Sequence, residues 1–355
     1  MLKSGPFAFG GPLAEGAIRQ RLDDFVVEED LGFCPEPDET GEHWWLWIEK
    51  RGQNTAWVAS ALAEAAGLHP SKASFAGLKD RHAVTRQWIS LHLGQRPTPK
   101  VDDIAIEGVV ILHAVRSSKK LQRGRLKGNR FELVVRDLAP QKGHAQAMQD
   151  HLQDQLHDRL LAVKAQGVPN FFGEQRFGVN NVAKARKLFA GELRGQRSKK
   201  KRGFYLSAAR SYLFNEVLAE RVREGTWSEL LPGDVAMLDG SQSFFELRPG
   251  QQTDPEIMAR LGRLDIHPTG PLPGVGDEVV SDEVAALEGR CLARHPDLVE
   301  GLTNFKVKAM RRALRAPVRD LHWHWLDGRT LKLEFRLGQG AFATTVLREL
   351  VAYST

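Results

Sequence analysis

The sequence predicts an α+β protein of two domains, and three observations predict it. Runs dense in aromatic and β-branched residues fill roughly the first 140 positions. Apolar residues at helical spacing take over from about 140. A hairpin pattern returns near 320. At 355 residues the chain is long enough for two cores.

In chain order, Phe25 to Glu28 and Trp44 to Glu49 read as strands, separated by a loop with Pro35, Pro37 and Gly41. Asn54 or Thr55 can cap a helix running through Val58, Leu62 and Ala65 and stopping at Gly67. A turn at Gly77 leads to a strand from Gln87 to Leu93, where Ile89, Leu91 and Leu93 alternate with Trp88, Ser90 and His92. Val109 to Val115 and Phe131 to Val135 are further strands. Met148, Leu152, Leu156, Leu160 and Val163 then recur every three or four residues. Asn180 is placed to cap the next helix, and Ser207 the one carrying Leu213, Phe214, Val217 and Leu218. Val307, Met310 and Leu314 suggest one more helical face. Leu321, Trp323 and Trp325, a turn at Asp327-Gly328, and Leu331, Leu333, Phe335 and Leu337 form the hairpin. Thr344 to Val351 closes the chain as a helix.

The composition excludes several classes. No apolar run approaches the roughly 20 residues of a membrane helix. The Gly- and Pro-rich first 16 residues lack a signal peptide's apolar region. Two distant cysteines, Cys34 and Cys291, support neither a disulfide framework nor a cysteine metal site, so the cytoplasm is expected. GxxxxGK[ST], HExxH and GxSxG are absent. Gly338 to Ala343 fits GxGxxA, but the chain ends before the strand and acidic residue that a dinucleotide site needs. His322 and His324 share a strand face with no third ligand nearby, so no metal is expected.

Charge is more informative by position than by its total of +6. Arg116, Lys119, Lys120, Arg123, Arg125, Lys127 and Arg130 form one acid-free run. Arg194, Arg197, Lys199, Lys200, Lys201 and Arg202 form another. Either alone reads as a solvated loop; two in one chain point to a phosphate backbone. The stretch Phe75 to Gln87 holds the most pointed chemistry, with Asp80 between Lys79 and Arg81. Both neighbours favour the charged carboxylate, so Asp80 is expected to stand ready as nucleophile or base without a metal. The plainer alternative is an exposed turn aspartate.

Five stretches together closely resemble the TruD family of tRNA pseudouridine synthases. They are Phe75 to Gln87, Leu126 to Phe131, Gly167 to Gly178, Ser207 to Asn215 and Ala341 to Glu349, in the family's order across most of the chain. Gly338 departs from the pattern, standing where family members often carry a proline. The resemblance implies a pseudouridine-synthase fold with a mixed, largely antiparallel sheet and flanking helices. It implies a discontinuous catalytic domain, residues 1–151 and 304–355, around an inserted family-specific domain at 152–303. The implied activity is isomerisation of uridine at tRNA position 13, with no metal or organic cofactor and no obligate protein partner.

By the same resemblance Asp80 is the catalytic aspartate, and Phe25, Asn129, Phe131 and Phe342 surround the target base. Lys79 or Arg81 would keep Asp80 ionised. Lys119, Lys120, Arg123, Arg125, Lys127, Lys199, Lys200, Lys201 and Arg202 would hold the RNA backbone in a basic cleft between the domains. A non-catalytic RNA-binding protein is the competing class. Glycoside hydrolysis would need a second working carboxylate, for which the sequence offers no specific candidate.

Overall fold

The computed structural model describes residues 5–141, 151–193 and 198–354, apart from the side chains of Lys199 and Lys200. The chain divides into two compact units. One comprises Ala14–Gln149, Arg319–Gly340 and Ala352–Thr355; the other comprises Met1–Leu13, Asp150–Val318 and Ala341–Val351.

The first unit is built on a mixed sheet. Its early strands are β1 (Ala14–Ile18), β2 (Phe25–Asp30), β3 (His43–Arg51), β4 (Ala73–Phe75), β5 (Val84–His92), β6 (Val109–Ser117) and β7 (Gly128–Pro140). The main path runs from the C-terminal hairpin, Arg319–Asp327 and Thr330–Gly338, through β7, β2, β5 and β3 to β6. Along this path β2 and β5 pair in parallel and the other neighbours antiparallel. Alternation sorts the faces: Trp44, Leu46 and Ile48 of β3 turn inward with Ile89 and Leu91 of β5. Helix α1 (Thr55–Ala65) covers them with Val58, Ala59, Leu62 and Ala63. Asn54 caps α1, its side chain accepting from the Ala56 amide at 2.9 Å. Gly67, at φ +68°, ends it in the left-handed region that glycine enters without strain.

The second unit is organised around the 25-residue helix Lys199–Arg223. Tyr205, Ala209 and Leu213 pack into one apolar cluster with Leu298 and Leu302. Ala208, Phe214, Leu218 and Val222 pack into another with Phe171, Phe172 and Phe177. A four-stranded sheet, ordered Phe244–Glu246, Val235–Leu238, Ile266–Leu272 and Met310–Ala313, lies in the same unit.

Several local expectations change. Ser207 is not a cap, because apolar spacing already begins at Tyr205 and the helix starts eight residues earlier, capped by Ser198. Lys199 to Arg202 therefore form its first turn rather than a loop. Asn180 does precede the helix Asn181–Phe189, but at φ +61° and without a side-chain cap bond. Residues 310–313 form a strand, not a helix, because they pair with Ile266–Leu272. Met310 is exposed while Leu314 is fully buried, so the spacing of three and four did not mark one face.

The hairpin loop is Gly328-Arg329, since Asp327 pairs with Thr330. The last helix covers only Ala343–Leu347 and gives way to a strand, Val351–Ser354. There, buried Glu349 turns to accept from the amides of Ala8 and Phe9 at 3.0 and 3.3 Å. Met148 lies outside the described residues. Among the described residues, no helix is long and apolar enough to cross a membrane.

Candidate active site

The site is assembled on β2 and β7, which pair antiparallel with Val27 opposite Phe131 and Glu29 opposite Asn129. Directly opposed residues share a sheet face, so Phe25, Glu29, Asn129 and Phe131 all present their side chains on the same side. Asp80 reaches this group from the irregular segment 76–83, between β4 and β5.

Both oxygens of the Asp80 carboxylate are held. Oδ2 accepts from Arg19 Nη2 at 2.5 Å, and Oδ1 accepts from the His82 amide at 3.1 Å. Each member of the Arg19–Asp80 pair keeps about a fifth of its side-chain surface exposed, 20% and 21%. The carboxylate is thus sheltered yet reachable. Arg19 also lies 4.1 Å above the Phe25 ring, a cation–π contact that fixes the guanidinium. Its backbone, at φ +61°, occupies the left-handed region, which a bulky residue adopts only when its surroundings hold it there.

The segment carrying Asp80 is pinned from below. Lys50 donates to the main-chain carbonyls of Asp80 and Gln53, each at 2.8 Å. Lys50 is fully buried, and burial pushes its ammonium down from 10.5 to about 8; nearby Asp80 opposes that fall and Lys79 adds to it. Thr55 accepts from the Lys79 amide at 3.0 Å and donates to Gln87 Oε1 at 3.0 Å; Gln87 in turn donates to the Gly77 carbonyl at 3.3 Å. Thr55 is therefore a buried bridge, its capping role taken by Asn54.

The expectation that Lys79 and Arg81 hold Asp80 is not met. Lys79 turns to Glu29 Oε1 at 3.0 Å and to Asn129 Oδ1 at 2.6 Å. Arg81 donates to the Gly52 carbonyl at 3.2 Å. Both neighbours are engaged elsewhere, so the carboxylate's cation comes from a residue 61 positions away. Sequence reasoning missed Arg19, Glu29, Lys50 and Gln87. Lys50 did leave a signal, because it continues the inward alternation Trp44, Leu46, Ile48 where an unpartnered lysine would be costly.

Phe131 is buried and stacks on Phe335 of the hairpin, with centroids 5.4 Å apart and planes 26° apart. A depression of about 270 Å³ borders Phe335, lined also by Arg130, Asp320, His322, Glu334 and Arg336. It includes none of the residues around Asp80, whose contacts with Arg19 and Lys50 make the stronger chemical case. Among the described residues no group of three His, Cys, Asp or Glu is placed to hold a metal.

The model of the family described as tRNA pseudouridine synthase D (TruD) matches residues 5–195 and 195–350. The chain belongs to this family. Among TruD relatives, the tRNA pseudouridine synthase D of Stutzerimonas stutzeri is 44% identical over 351 residues, covering 98% of this chain and 96% of its own. That of Methylococcus capsulatus is 43% identical over 350 residues, covering 98% and 94%. The crystal structure of a Methanosarcina mazei protein named for tRNA pseudouridine synthase D superposes with a TM-score of 0.70, covering 97% of this chain and 95% of that one. At 21% identity this last likeness speaks to the α+β fold alone.

Four of the five TruD-like stretches fall plainly into structural roles. Phe75 to Gln87 carries Asp80. Leu126 to Phe131 enters β7 through Gly128, where a Cβ would stand 2.2 Å from the Leu337 carbonyl oxygen. Gly167 to Gly178 and Ser207 to Asn215 join each other, with Asn215 Oδ1 accepting from the Phe172 amide at 2.9 Å and its Nδ2 donating to the Phe172 carbonyl at 3.0 Å. The fifth stretch contains Phe342, which belongs to the second unit and packs with Phe171 and Phe172, not in the unit of Asp80. Of the basic residues, Lys119, Lys120, Arg123, Arg125, Lys127, Lys201 and Arg202 are exposed. Arg116, by contrast, is half-buried and donates to the carbonyls of Gly41, Gly94 and Arg96.

Proposed function

We propose that Asp80 begins the conversion of uridine to pseudouridine in tRNA, at position 13. Family membership makes the chain a tRNA pseudouridine synthase, an isomerase. The reaction breaks the N1–C1′ bond, turns the uracil and joins C5 to C1′. The C5 proton leaves and N1 gains one, so no atom is added to the product. One carboxylate that attacks and then departs, or that removes and returns a sugar proton, suffices.

The observation that carries this reading is the doubly held Asp80 carboxylate, sheltered but accessible and backed by Arg19. Holding a reacting group in one orientation removes entropy from the barrier in advance. The uridine leaves its stack at a cost of a few kcal/mol, and stacking on an aromatic ring, worth about 1–3 kcal/mol, would offset part of it. Phe131, stacked on Phe335, supplies the apolar floor. Asn129 accepts from Lys79 through Oδ1, which leaves its amide hydrogens for a carbonyl of the base.

Residues 1–151 and 304–355 are read as the catalytic domain, and residues 152–303 as the inserted domain. The exposed basic residues are assigned to phosphates, and the cytoplasm is the proposed location. The test is tritium release from C5-labelled uridine in unmodified tRNA. Native protein should release tritium, and Asp80→Asn should release none while binding tRNA as tightly. Turnover by Asp80→Asn would remove Asp80 from the chemistry, and binding without any release would favour an RNA-binding protein.

A further inference from the structure

Deeply placed arginines of the second unit are mostly neutralised or saturated. Arg221 meets Asp234 at 3.1 Å, and Arg311 meets Glu288 at 2.7 Å. Arg159 donates to the carbonyls of Gly11 and Glu349, both at 2.7 Å. Arg176 and Arg210 differ, and Arg176 shares the Phe172 ring with Arg312. The guanidinium carbon of Arg312 lies 4.0 Å from the ring centroid and that of Arg176 lies 5.0 Å from it. Arg210, from the long helix, makes one long bond of 3.5 Å to the Leu272 carbonyl, and its buried Nε has no partner among the described residues. No carboxylate lies within ion-pair distance of Arg176 or Arg210 among the described residues.

Desolvation pushes the guanidinium groups of Arg210 and Arg312 below the ordinary arginine range, and that of Arg176 as well although its side chain is exposed. The charge of Arg176 adds to this for Arg210, and for Arg312, which falls to about 9. Like charges gathered where water is partly excluded repel, and an anion would remove that cost. Planar guanidinium forks match phosphate oxygens in pairs, and the Phe172 ring holds two of them. The cluster also adjoins Phe342: a Cβ on Gly173, the residue after Phe172, would lie 3.8 Å from the Phe342 ring.

We propose that Arg176, Arg210 and Arg312 form a site for a backbone phosphate of the RNA substrate beside Phe342. The proposal rests on the reading of the chain as a tRNA-modifying enzyme, and it gives Phe342 a neighbouring anchor for the target strand. Arg312 also donates to Asn170 Oδ1 at 2.6 Å, so it is left unchanged in the test.

The test measures tRNA binding by the full-length protein across a salt series, with thermal melting in the absence of RNA. Arg210→Gln is expected to weaken tRNA binding by about tenfold or more and to reduce the log–log salt slope by about one. Its melting temperature should not fall, because a like-charge contact has been relieved. Arg210→Lys should recover most of the slope. If Arg210→Gln does not fold, Arg176→Gln, at a solvent-reached position, must show the same loss.

Wild-type affinity and slope in either folded variant would overturn the proposal, as would lower melting with unchanged binding. Inorganic phosphate added without RNA separates a second source: if it protects only the wild type while tRNA affinity is equal in both, the site takes a free anion and the proposal fails. A wild-type protein that neither binds tRNA nor releases tritium would overturn the functional reading itself. Active wild type with unaffected variants overturns only this site.

Discussion

Lys50→Met tests whether the support beneath Asp80 is a buried charge. Lys50 is fully buried, and its ammonium is lowered from 10.5 to about 8, first by burial. At about 1.4 kcal/mol per pH unit, that displacement amounts to about 3 kcal/mol of destabilisation. The sign follows from proton counts. Below about pH 8 both folded and unfolded chains carry the proton, so the destabilisation is complete. Between about 8 and 10.5 the unfolded chain binds more protons, and stability rises with pH.

Wild-type stability relative to Lys50→Met should therefore increase by about 2 kcal/mol from pH 7 to pH 9.5. The offset between the two proteins at pH 7 is less informative, because methionine relieves the charge but strands the carbonyls of Gln53 and Asp80, at about 1–3 kcal/mol each. Urea unfolding followed by tryptophan fluorescence is suited to the measurement, since Trp44, Trp45, Trp47, Trp57, Trp88, Trp323 and Trp325 share the unit of Lys50. A difference that stays constant across this range would refute the account, because Lys50 would then not titrate out of step with the unfolded chain.

Other outcomes follow from the same geometry. Arg19→Ala should lower kcat about a hundredfold with little change in tRNA affinity, since it frees one carboxylate oxygen; single-turnover tritium release checks this, and an unchanged kcat removes Arg19 from the site. Gly128→Ala should destabilise by about 1–3 kcal/mol, because its Cβ would meet the Leu337 carbonyl at 2.2 Å; denaturant midpoints read the change. Asp234→Ala should cost about 3–5 kcal/mol by leaving buried Arg221 without its carboxylate, and thermal melting would show the loss. Lys201→Gln with Arg202→Gln should reduce the salt slope of tRNA binding by about two, one for each exposed cation that faces a phosphate; an unchanged slope would place the RNA elsewhere.

What the sequence by itself determined was local and periodic. Alternation of Trp44, Leu46 and Ile48, the Asn54 cap and the paired runs of the C-terminal hairpin each follow from residues within a few positions of one another. The motif around Asp80 was equally legible, because the glycine turn, the acid and the following strand are contiguous. The tertiary structure alone decided the partners. Spacing could not tell that 310–313 would pair with 266–272, because a strand is made by its neighbour across the sheet and not by its own period. Lys79 and Arg81 looked like the cations of Asp80 by adjacency, yet chain direction turns them away and brings Arg19 instead. Charge acts through space, and sequence order does not measure that distance.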